Sequence, residues 1–332
     1  MFGRNIIQII CLLIGTSVFA QYDTLWTKTY GGSGDEQAHA IERTHDGGII
    51  ILGTTNSFGH GAHDLWLIKT DQNGDSTWTK TIGNGDDDYG RSIQETSDHG
   101  FIITGWRQIP GSQNMQDIWL LKTDASGNQE WSKTFGGSES EDAYSVIETA
   151  DGGFIVSGAT MSFGSGAWDL WLIKTNSEGD STWTSIIGEA GSEIGNSIIE
   201  TPDGGYTIGG FKYTNDTNVR DAWLLHTDSE GQELWSKTYG GTDYDAGRTT
   251  IPTSDGGYIV AGDYFADDTD LWLLRLDSDG DSTWAHTFGG IGNDVGYDLD
   301  ETNQNGYLIA GYSTSFGAGQ EDVYLIETDA SG

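Results

Sequence analysis

The sequence predicts an all-β fold, a six-bladed β-propeller with four-stranded antiparallel blades. The first observation is an internal repeat that begins with a tryptophan in each of six copies. These tryptophans are Trp26, Trp78, Trp131, Trp183, Trp235 and Trp284, so the period is 52, 53, 52, 52 and 49 residues. The second observation is that each copy contains four short strand-like runs. A period of this length with four strands per unit is typical of a propeller.

The third unit, Trp131–Asp180, shows the pattern clearly. It opens with W-S-K-T-F-G-G, a case of W-[ST]-K-T-[FY]-G-G, and a second strand-like run follows at Ala143–Thr149. The sequence Asp151-Gly152-Gly153 then predicts a tight hairpin turn, because glycine accepts the positive φ that such turns need.

The two remaining runs of each unit are more apolar. The third run, Phe154–Gly158 in this unit, is almost entirely apolar, as expected for a strand covered on both faces. The fourth run follows D-[LIAV]-[WY]-L-[IL] and begins at Asp169. The third and fourth runs are joined by the longest connection of the unit. From the axis outward, a blade is therefore expected to contain the second, third and fourth runs of one unit, followed by the opening run of the next unit.

The two ends of the chain are predicted to complete the sixth blade together. The chain begins on an outermost strand, Asp23–Gly32, and its last strand-like run is a third strand of a blade, Asp322–Thr328. Pairing these two segments would close the ring and remove two unpaired sheet edges. The alternative is an open array whose missing blades lie beyond Gly332.

The first twenty residues are predicted to be a signal peptide that is cleaved after Ala20. Arg4 gives a positive start, residues 6–15 are apolar, and Val18-Phe19-Ala20 ends in small residues. The rest, residues 21–332, is then a single propeller domain of an extracellular protein. No later stretch is long and apolar enough for a membrane span. The only cysteine, Cys11, lies in the signal peptide, so the mature chain has no disulfide.

The charge balance is strongly acidic. Fifteen Lys and Arg residues stand against 51 Asp and Glu residues, which gives a net charge of −36. Such a surface repels nucleic acids and anionic membranes, so neither is expected as a partner.

The sequence motifs of the repeats resemble those of secreted bacterial propeller proteins built from W-x-K-T-[FY]-G-G … DGG-[YF] units. The strand order is similar to that of kelch-type propellers. The resemblance covers Thr24 to Gly332. It implies a secreted propeller and few assigned activities, although some of these relatives are described as acting on polysaccharides.

One acidic residue recurs just before the innermost strand of every blade, and two interpretations are open. These residues are Glu36, Asp88, Glu141, Glu193, Asp245 and Asp294. Around one mouth of the channel they would suit Ca²⁺, which prefers oxygen ligands. Alternatively, each carboxylate caps backbone N–H groups of its own loop. No cofactor is required by the sequence, and Ca²⁺ is the only one it suggests.

Two further acidic patterns are best interpreted as turn formers. An aspartate precedes the fourth run in each unit, and a D-x-x-G-D turn such as Asp277–Asp281 follows it. The first is expected to cap a turn, and the second to form a hairpin with a left-handed glycine.

The long connections between the third and fourth runs vary in sequence, and recognition usually resides in such loops. They contain aromatic and cationic side chains that suit stacking on sugar rings or contact with a protein. The candidate ligand-binding residues are Trp106, Arg107, Trp168, Phe211, Lys212, Tyr213, Arg220, Tyr264 and Phe265. The alternative is that these side chains fold back onto the blades.

Nothing in the sequence singles out a catalytic residue. The mature chain has no cysteine, no nucleophile motif, and no pair of carboxylates that stands apart from the other acids. His60 and His63 share a glycine-rich loop, which is more typical of solvated side chains than of a metal site. The sequence therefore favours a secreted binding or structural module for a glycan or an extracellular protein. The alternatives are a polysaccharide hydrolase that uses carboxylates near the channel mouth, and a repeat segment of a larger adhesin.

Overall fold

The computed structural model describes residues 26–60, 62–112, 115–214 and 219–332, and in these residues every regular element is a β-strand. The predicted signal peptide and residues 21–25, which include the start of the predicted first strand, lie outside the described residues. No membrane-crossing helix occurs in the described part of the chain.

The strands fall into six groups that follow the repeats. Blade 1 contains β1 (Glu36–Arg43), β2 (Ile49–Thr55), β3 (Asp64–Thr70) and β4 (Ser76–Ile82). Blade 2 contains β5 (Asp88–Glu95), β6 (Phe101–Gln108), β7 (Gln116–Thr123) and β8 (Gln129–Phe135). Blade 3 contains β9 (Glu141–Glu148), β10 (Phe154–Thr160), β11 (Asp169–Thr175) and β12 (Ser181–Ile187).

The second half repeats this arrangement. Blade 4 contains β13 (Glu193–Glu200), β14 (Tyr206–Thr214), β15 (Val219–Thr227) and β16 (Glu233–Tyr239). Blade 5 contains β17 (Ala246–Pro252), β18 (Tyr258–Phe265), β19 (Thr269–Leu276) and β20 (Ser282–Phe288). Blade 6 contains β21 (Asp294–Glu301), β22 (Tyr307–Ser313) and β23 (Asp322–Glu327).

The predicted six-bladed propeller and its strand order are confirmed. In every sheet, consecutive strands pair antiparallel in sequence order, and the first strand of each blade lies innermost. Five sheets have four strands. The sixth has three strands among the described residues.

The core lies between neighbouring blades rather than within any one of them. Between blades 1 and 2, Leu52 and Leu67 pack against Phe101 and Trp119, all fully or almost fully buried. Four similar clusters join blades 2 to 6 in order. Each blade therefore depends on its neighbour to bury its apolar face, which explains why the second and third strands are apolar on both sides.

The outer turns have the predicted hairpin form. Asp71 Oδ1 accepts hydrogen bonds from the N–H groups of Asn73, at 2.8 Å, and Asp75, at 2.9 Å. Gly74 in this turn has a φ of 75°, the left-handed region that glycine tolerates best. The opening tryptophan of the same repeat lies against this glycine. A β-carbon at Gly74 would lie 2.8 Å from the ring of Trp26, and one at Gly127 would lie 2.6 Å from the ring of Trp78.

The predicted pairing of the two chain ends is not among the strand pairs of the described residues. Residues 26–32 form no strand, and the side chains of Val323 and Leu325 on β23 are 90% and 53% exposed. A groove of about 550 Å³ lies between blades 1 and 6, lined by Lys28, Tyr30 and Trp66 on one side and Asp298 on the other. Closure of the ring by strand pairing stays a prediction.

Candidate ligand site at the propeller axis

A β-bulge interrupts the innermost strand of every blade at the same position of the repeat. In blade 2 the pairing of β5 with β6 skips one residue between Gly90 and Ser92, so Arg91 has no partner across the ladder. The corresponding residues in the other blades are His39, Tyr144, Asn196, Arg248 and Tyr297. A bulge turns a side chain away from the direction that regular pleating would give it, and bulges are frequent next to binding sites.

These six bulged residues line one cavity of about 220 Å³ at the axis of the propeller. They come from six different blades, so the ring geometry brings together residues that are far apart in the sequence. We call them the axial residues. The axial position carries arginine twice, tyrosine twice, histidine and asparagine.

The axial residues supply mainly hydrogen-bond donors. The two guanidinium groups have ten N–H groups between them, and asparagine, histidine and the tyrosine hydroxyls can each donate as well. None of the six is acidic, although acids outnumber lysines and arginines by 51 to 15 in the chain. The cavity therefore favours a ligand with exposed acceptor atoms.

Arg91 is held by a buried acid on the neighbouring blade. Its Nη2 lies 3.1 Å from Asp142 Oδ2, and the two side chains are 44% and 7% exposed. Burial raises the pKa of Asp142 to about 6, although the charge of Arg91 and its hydrogen bond act in the opposite direction. Arg91 also approaches the ring of Tyr144, whose hydroxyl pKa is raised by burial. One ion pair occupies few of the donors of Arg91, so others are free to face the cavity.

Arg248 is held in a similar way on the opposite side of the axis. Its Nε lies 2.5 Å from Asp263 Oδ1, and its guanidinium group lies 4.8 Å from the ring centre of Tyr297. The other oxygen of Asp263 accepts a hydrogen bond from Arg220 Nη2 at 2.9 Å. Arg220, a predicted ligand-binding residue, is thus connected to the axial group through one shared carboxylate.

Trp106, another predicted ligand-binding residue, is linked to the axial residue His39 through Tyr89. Its ring stacks on Tyr89 with the ring centres 4.4 Å apart, and Tyr89 lies 6.0 Å from His39. Burial, with a smaller effect of the Arg91 charge, lowers the pKa of His39, which favours the neutral imidazole. Asn196 is fixed by a hydrogen bond from its Nδ2 to the carbonyl oxygen of Gly247, at 2.8 Å.

The other predicted loop residues mainly make contacts with the scaffold. Arg107 Nε bonds Asp88 at 2.5 Å and its guanidinium group lies 4.1 Å from the ring of Trp119. Lys212 pairs with Glu189 at 3.1 Å. Tyr264 packs on Trp272 with ring centres 5.4 Å apart, as Phe163 packs on Trp171 in blade 3.

The remaining four are partly buried, and three of them contact their own blade whereas Trp168 contacts the next blade. Phe211 contacts Tyr213 edge-on, and the guanidinium group of Arg220 lies 5.0 Å from the ring centre of Phe211. The N–H of Phe265 donates to Asp245, and Trp168 forms an isolated bridge with Ser192. The structure therefore places only Trp106 and Arg220 in contact with residues that touch the axial group.

The recurring acid before each innermost strand caps its own loop. Each carboxylate accepts a hydrogen bond from a backbone N–H four residues earlier, at 2.6–3.2 Å. The pairs are Gly32 with Glu36, Asn84 with Asp88, Gly137 with Glu141, Glu189 with Glu193, Gly241 with Asp245 and Gly290 with Asp294. All except Glu36 are fully buried. The capping interpretation accounts for the repetition of this acid in all six blades.

Five of these acids also face an aspartate of the preceding blade. A β-carbon at Gly83 would lie 1.8 Å from Asp64 Oδ1 and 2.9 Å from Asp88 Oδ2, which is why the first glycine of the G-G pair recurs here. The same arrangement joins Asp117 to Glu141, Asp169 to Glu193, Asp221 to Asp245 and Asp270 to Asp294. We call these the junction carboxylates.

The junction carboxylates are the described residues best placed for the predicted Ca²⁺. Asp64 Oδ1, Asp117 Oδ1, Asp169 Oδ1 and Asp221 Oδ1 are buried and have no hydrogen-bond partner. Burial raises the pKa of each of these aspartates, and for Asp64, Asp117 and Asp221 the charge of the facing acid adds to this effect. A cation or a proton at each junction would relieve this repulsion.

The axial residues were missed from the sequence, although a signal for them exists. Each lies three positions after the recurring acid, as Arg91 does after Asp88 and Arg248 after Asp245. Aligning the six repeats would have shown that this column contains no acidic residue, although other columns of the strand vary as well. That it is a bulge, and that it faces the axis, follows only from the strand pairing.

Comparison with known proteins supports the fold alone. No family model matches the chain, and no curated protein matches it. A protein of unknown function from Bacteroides caccae is similar in structure, with a TM-score of 0.52, 14% identity, and coverage of 83% of this chain and 89% of that one. The β-propeller domain of the Trilobed protease from Pyrococcus furiosus, which has an open velcro topology, gives a TM-score of 0.50 at 8% identity. That match covers 88% of this chain and 81% of the protease domain.

Proposed function

We propose that this protein is a secreted, non-catalytic binding module whose ligand site is the axial cavity, and that its ligand is an acidic glycan. The observation that carries this proposal is the set of six bulged residues, one from each blade, that direct six varied side chains into one cavity. All six side chains can donate hydrogen bonds and none is acidic, in a chain where acids greatly outnumber lysines and arginines.

The chemistry of the cavity supports a carboxylate- or sulfate-bearing sugar. Arg91 and Arg248 suit bidentate contacts with such groups, and the rings of Tyr144 and Tyr297 suit stacking on a sugar face. A volume of about 220 Å³ fits one such group rather than a whole oligosaccharide. The net charge of −36 repels anions at a distance, but screening at physiological salt limits this repulsion to about 8 Å. Within the cavity, Arg91 and Arg248 therefore determine whether an anionic group binds.

The test is a glycan array probed with the mature chain, residues 21–332, that contains neutral, uronic-acid and sulfated glycans. The proposal expects retention on acidic glycans, and loss of retention in the double variant R91A/R248A. Arg43→Ala is a matched control, because Arg43 is an exposed arginine at the far end of β1. Equal binding by the wild type and the double variant would contradict the proposal.

A second candidate is a polysaccharide hydrolase, and Asp142 is the residue that favours it. This acid lies beside the axial group, and its pKa of about 6 is in the range of a general acid. A hydrolase of this kind needs two carboxylates. The recurring acids near the channel mouth cap their own loops, so no second carboxylate is assigned as the partner of Asp142. Release of reducing ends from a bound glycan, abolished in Asp142→Asn, would favour the hydrolase over the binding module.

A further inference from the structure

His45, Glu95 and His99 form a cluster at the end of the propeller opposite the long loops. His45 and His99 lie in the tight turns that follow the innermost strands of blades 1 and 2, and Glu95 is the last residue of β5. Their ligand atoms all lie within 4.8 Å of one another, and within the described residues this is the only group of three His, Cys, Asp or Glu side chains that close.

Glu95 is part of the repeat, whereas the two histidines are not. The N–H of His45 donates to Glu95 Oε2 at 2.8 Å, and Ser97 and Ala150 donate in the same way to Glu148 and Glu200 in the following blades. The glutamate therefore has a structural role in any case. No other blade carries a histidine at either of the two positions, so the repeat does not require them.

His99 holds a conformation that costs energy. Its φ is 66°, and the corresponding residues Gly47, Gly152, Gly204 and Gly256 are glycines with φ between 77° and 87°. Blade 6 has Asn305 here, a residue type that tolerates this region better than histidine does. A β-carbon at any of the four glycines would meet nothing within 4 Å, so the position opens onto solvent. Histidine is among the non-glycine residues found in the left-handed region, but glycine fits there without strain, so the fold does not require a side chain at this position.

The geometry of the three side chains suits a transition-metal ion. His45 Nδ1 lies 2.5 Å from Glu95 Oε1, and His99 Nδ1 lies 3.8 Å from the same oxygen. Zinc ligands at about 2.0–2.2 Å from the metal lie roughly 3.3 Å apart, between these two values. The imidazole rings are stacked with their centres 3.6 Å apart, so the two exposed side chains must rotate to splay the rings apart before both nitrogens face one ion.

We propose that His45, Glu95 and His99 bind one Zn²⁺ ion through His45 Nδ1, His99 Nδ1 and a Glu95 carboxylate oxygen. The side chains of the histidines are 51% and 54% exposed and that of Glu95 is 11% exposed. The fourth coordination position is thus open to water or to a ligand atom. Because a ligating imidazole nitrogen must be free of its proton, binding of Zn²⁺ displaces the proton that joins His45 to Glu95.

The test is calorimetric titration of Zn²⁺ into the chelator-treated mature chain at pH 7.5. We expect one ion per chain at pH 7.5, with affinity reduced at least tenfold in His45→Ala and in His99→Gly. His99→Gly restores the residue that four other blades carry, so its melting temperature should be at or above that of the wild type. Its loss of binding cannot then be attributed to unfolding.

Two further variants complete the design. Glu95→Gln keeps an oxygen that can accept from the N–H of His45 but removes the charge, and we expect weaker Zn²⁺ binding with an intact fold. His63→Ala, which alters a histidine paired with Asp87 at 3.0 Å outside the cluster, should bind as the wild type does. Absence of Zn²⁺ binding by the wild type, equal binding by His99→Gly, or loss of binding only in His63→Ala would overturn the proposal.

Discussion

Trp26 lies against Gly74 of blade 1 in the same relationship that Trp78 has to Gly127 of blade 2. The residues around Trp26 repeat the pattern as well. Lys28 pairs with Asp75 at 2.5 Å, as Lys133 pairs with Asp180 at 2.7 Å and Lys237 with Asp281 at 2.6 Å. Residues 26–30 therefore contact blade 1 as the outermost strand of a preceding blade would. This relationship supports the predicted closure of the ring by the amino-terminal segment.

The first prediction concerns this segment. Because Trp26 is only about half buried, Trp26→Ala is expected to lower the free energy of unfolding by about 1–2 kcal/mol. Deletion of residues 22–32 should have a larger effect or cause association through the exposed edge of β23. Urea denaturation and light scattering measure the two effects. Ile291→Ala is the control, because Ile291 is 97% exposed, and an unchanged melting temperature with monodisperse behaviour after the deletion would contradict closure.

The second prediction concerns pH. The pKa of Asp142 is raised to about 6, so the folded state binds a proton more tightly than the unfolded chain, and stability rises as pH falls from about 6 toward 4. The contribution is at most about 3 kcal/mol, from the shift of about two units. Asp142→Asn should remove this part of the pH profile, as measured by urea denaturation between pH 4 and 7. An identical profile in the variant would show that burial of Asp142 does not have this effect.

At lower pH the dependence of stability on pH reverses, and stability falls as the solution becomes more acidic. Burial acts to raise the pKa of Asp98 and of Asp151, but hydrogen bonds and the neighbouring lysines Lys122 and Lys174 outweigh it and lower both pKa values to about 2. Stability from these acids is complete above their ordinary pKa of about 3.8 and is lost as pH falls toward 2. The protein is therefore expected to be most stable in mildly acidic solution.

The third prediction concerns calcium. If the junction carboxylates bind Ca²⁺, the melting temperature will rise when Ca²⁺ is added to chelator-treated protein, because the ion relieves repulsion at buried oxygens. The double variant D117N/D169N removes charge from two junctions and should show a smaller rise. Differential scanning calorimetry with Mg²⁺ as the control ion measures this. A melting temperature that Ca²⁺ leaves unchanged would reject the calcium hypothesis.

The sequence predicted the fold well because the signals for it are local and repeated. The period of the tryptophans, the turn at Asp151-Gly152 and the apolar run after it each determine a strand or a connection in all copies. The site was predicted less well. A hydrogen-bond ladder decides that Arg91 is a bulge, and the stacking of two blades decides that His45 meets His99, although they are 54 positions apart. Neither relationship is visible in a single strand.

The prediction that the variable loops carry the ligand contacts depended on composition, which did not distinguish solvent-facing from scaffold-facing side chains. Tyr264 has the composition of a sugar-stacking residue, yet it fills the place against Trp272 that a phenylalanine fills in blade 3. Arg107 is similarly engaged by Asp88 and Trp119. Only packing information separates such residues from Trp106, which stacks on Tyr89 next to the axial residue His39.

The measurement that tests the account most directly is the affinity of the mature chain for the acidic glycan that it retains on the array, compared with the affinities of Arg91→Ala, Arg248→Ala and Arg43→Ala. Calorimetry at 0.15 M salt is expected to show losses of about ten- to a hundredfold for the two axial variants, since a hydrogen bond to a charged group contributes about 1.5–3 kcal/mol. The Arg43 variant should bind as the wild type does. Equal affinities for all four proteins would contradict the assignment of the axial cavity as the ligand site.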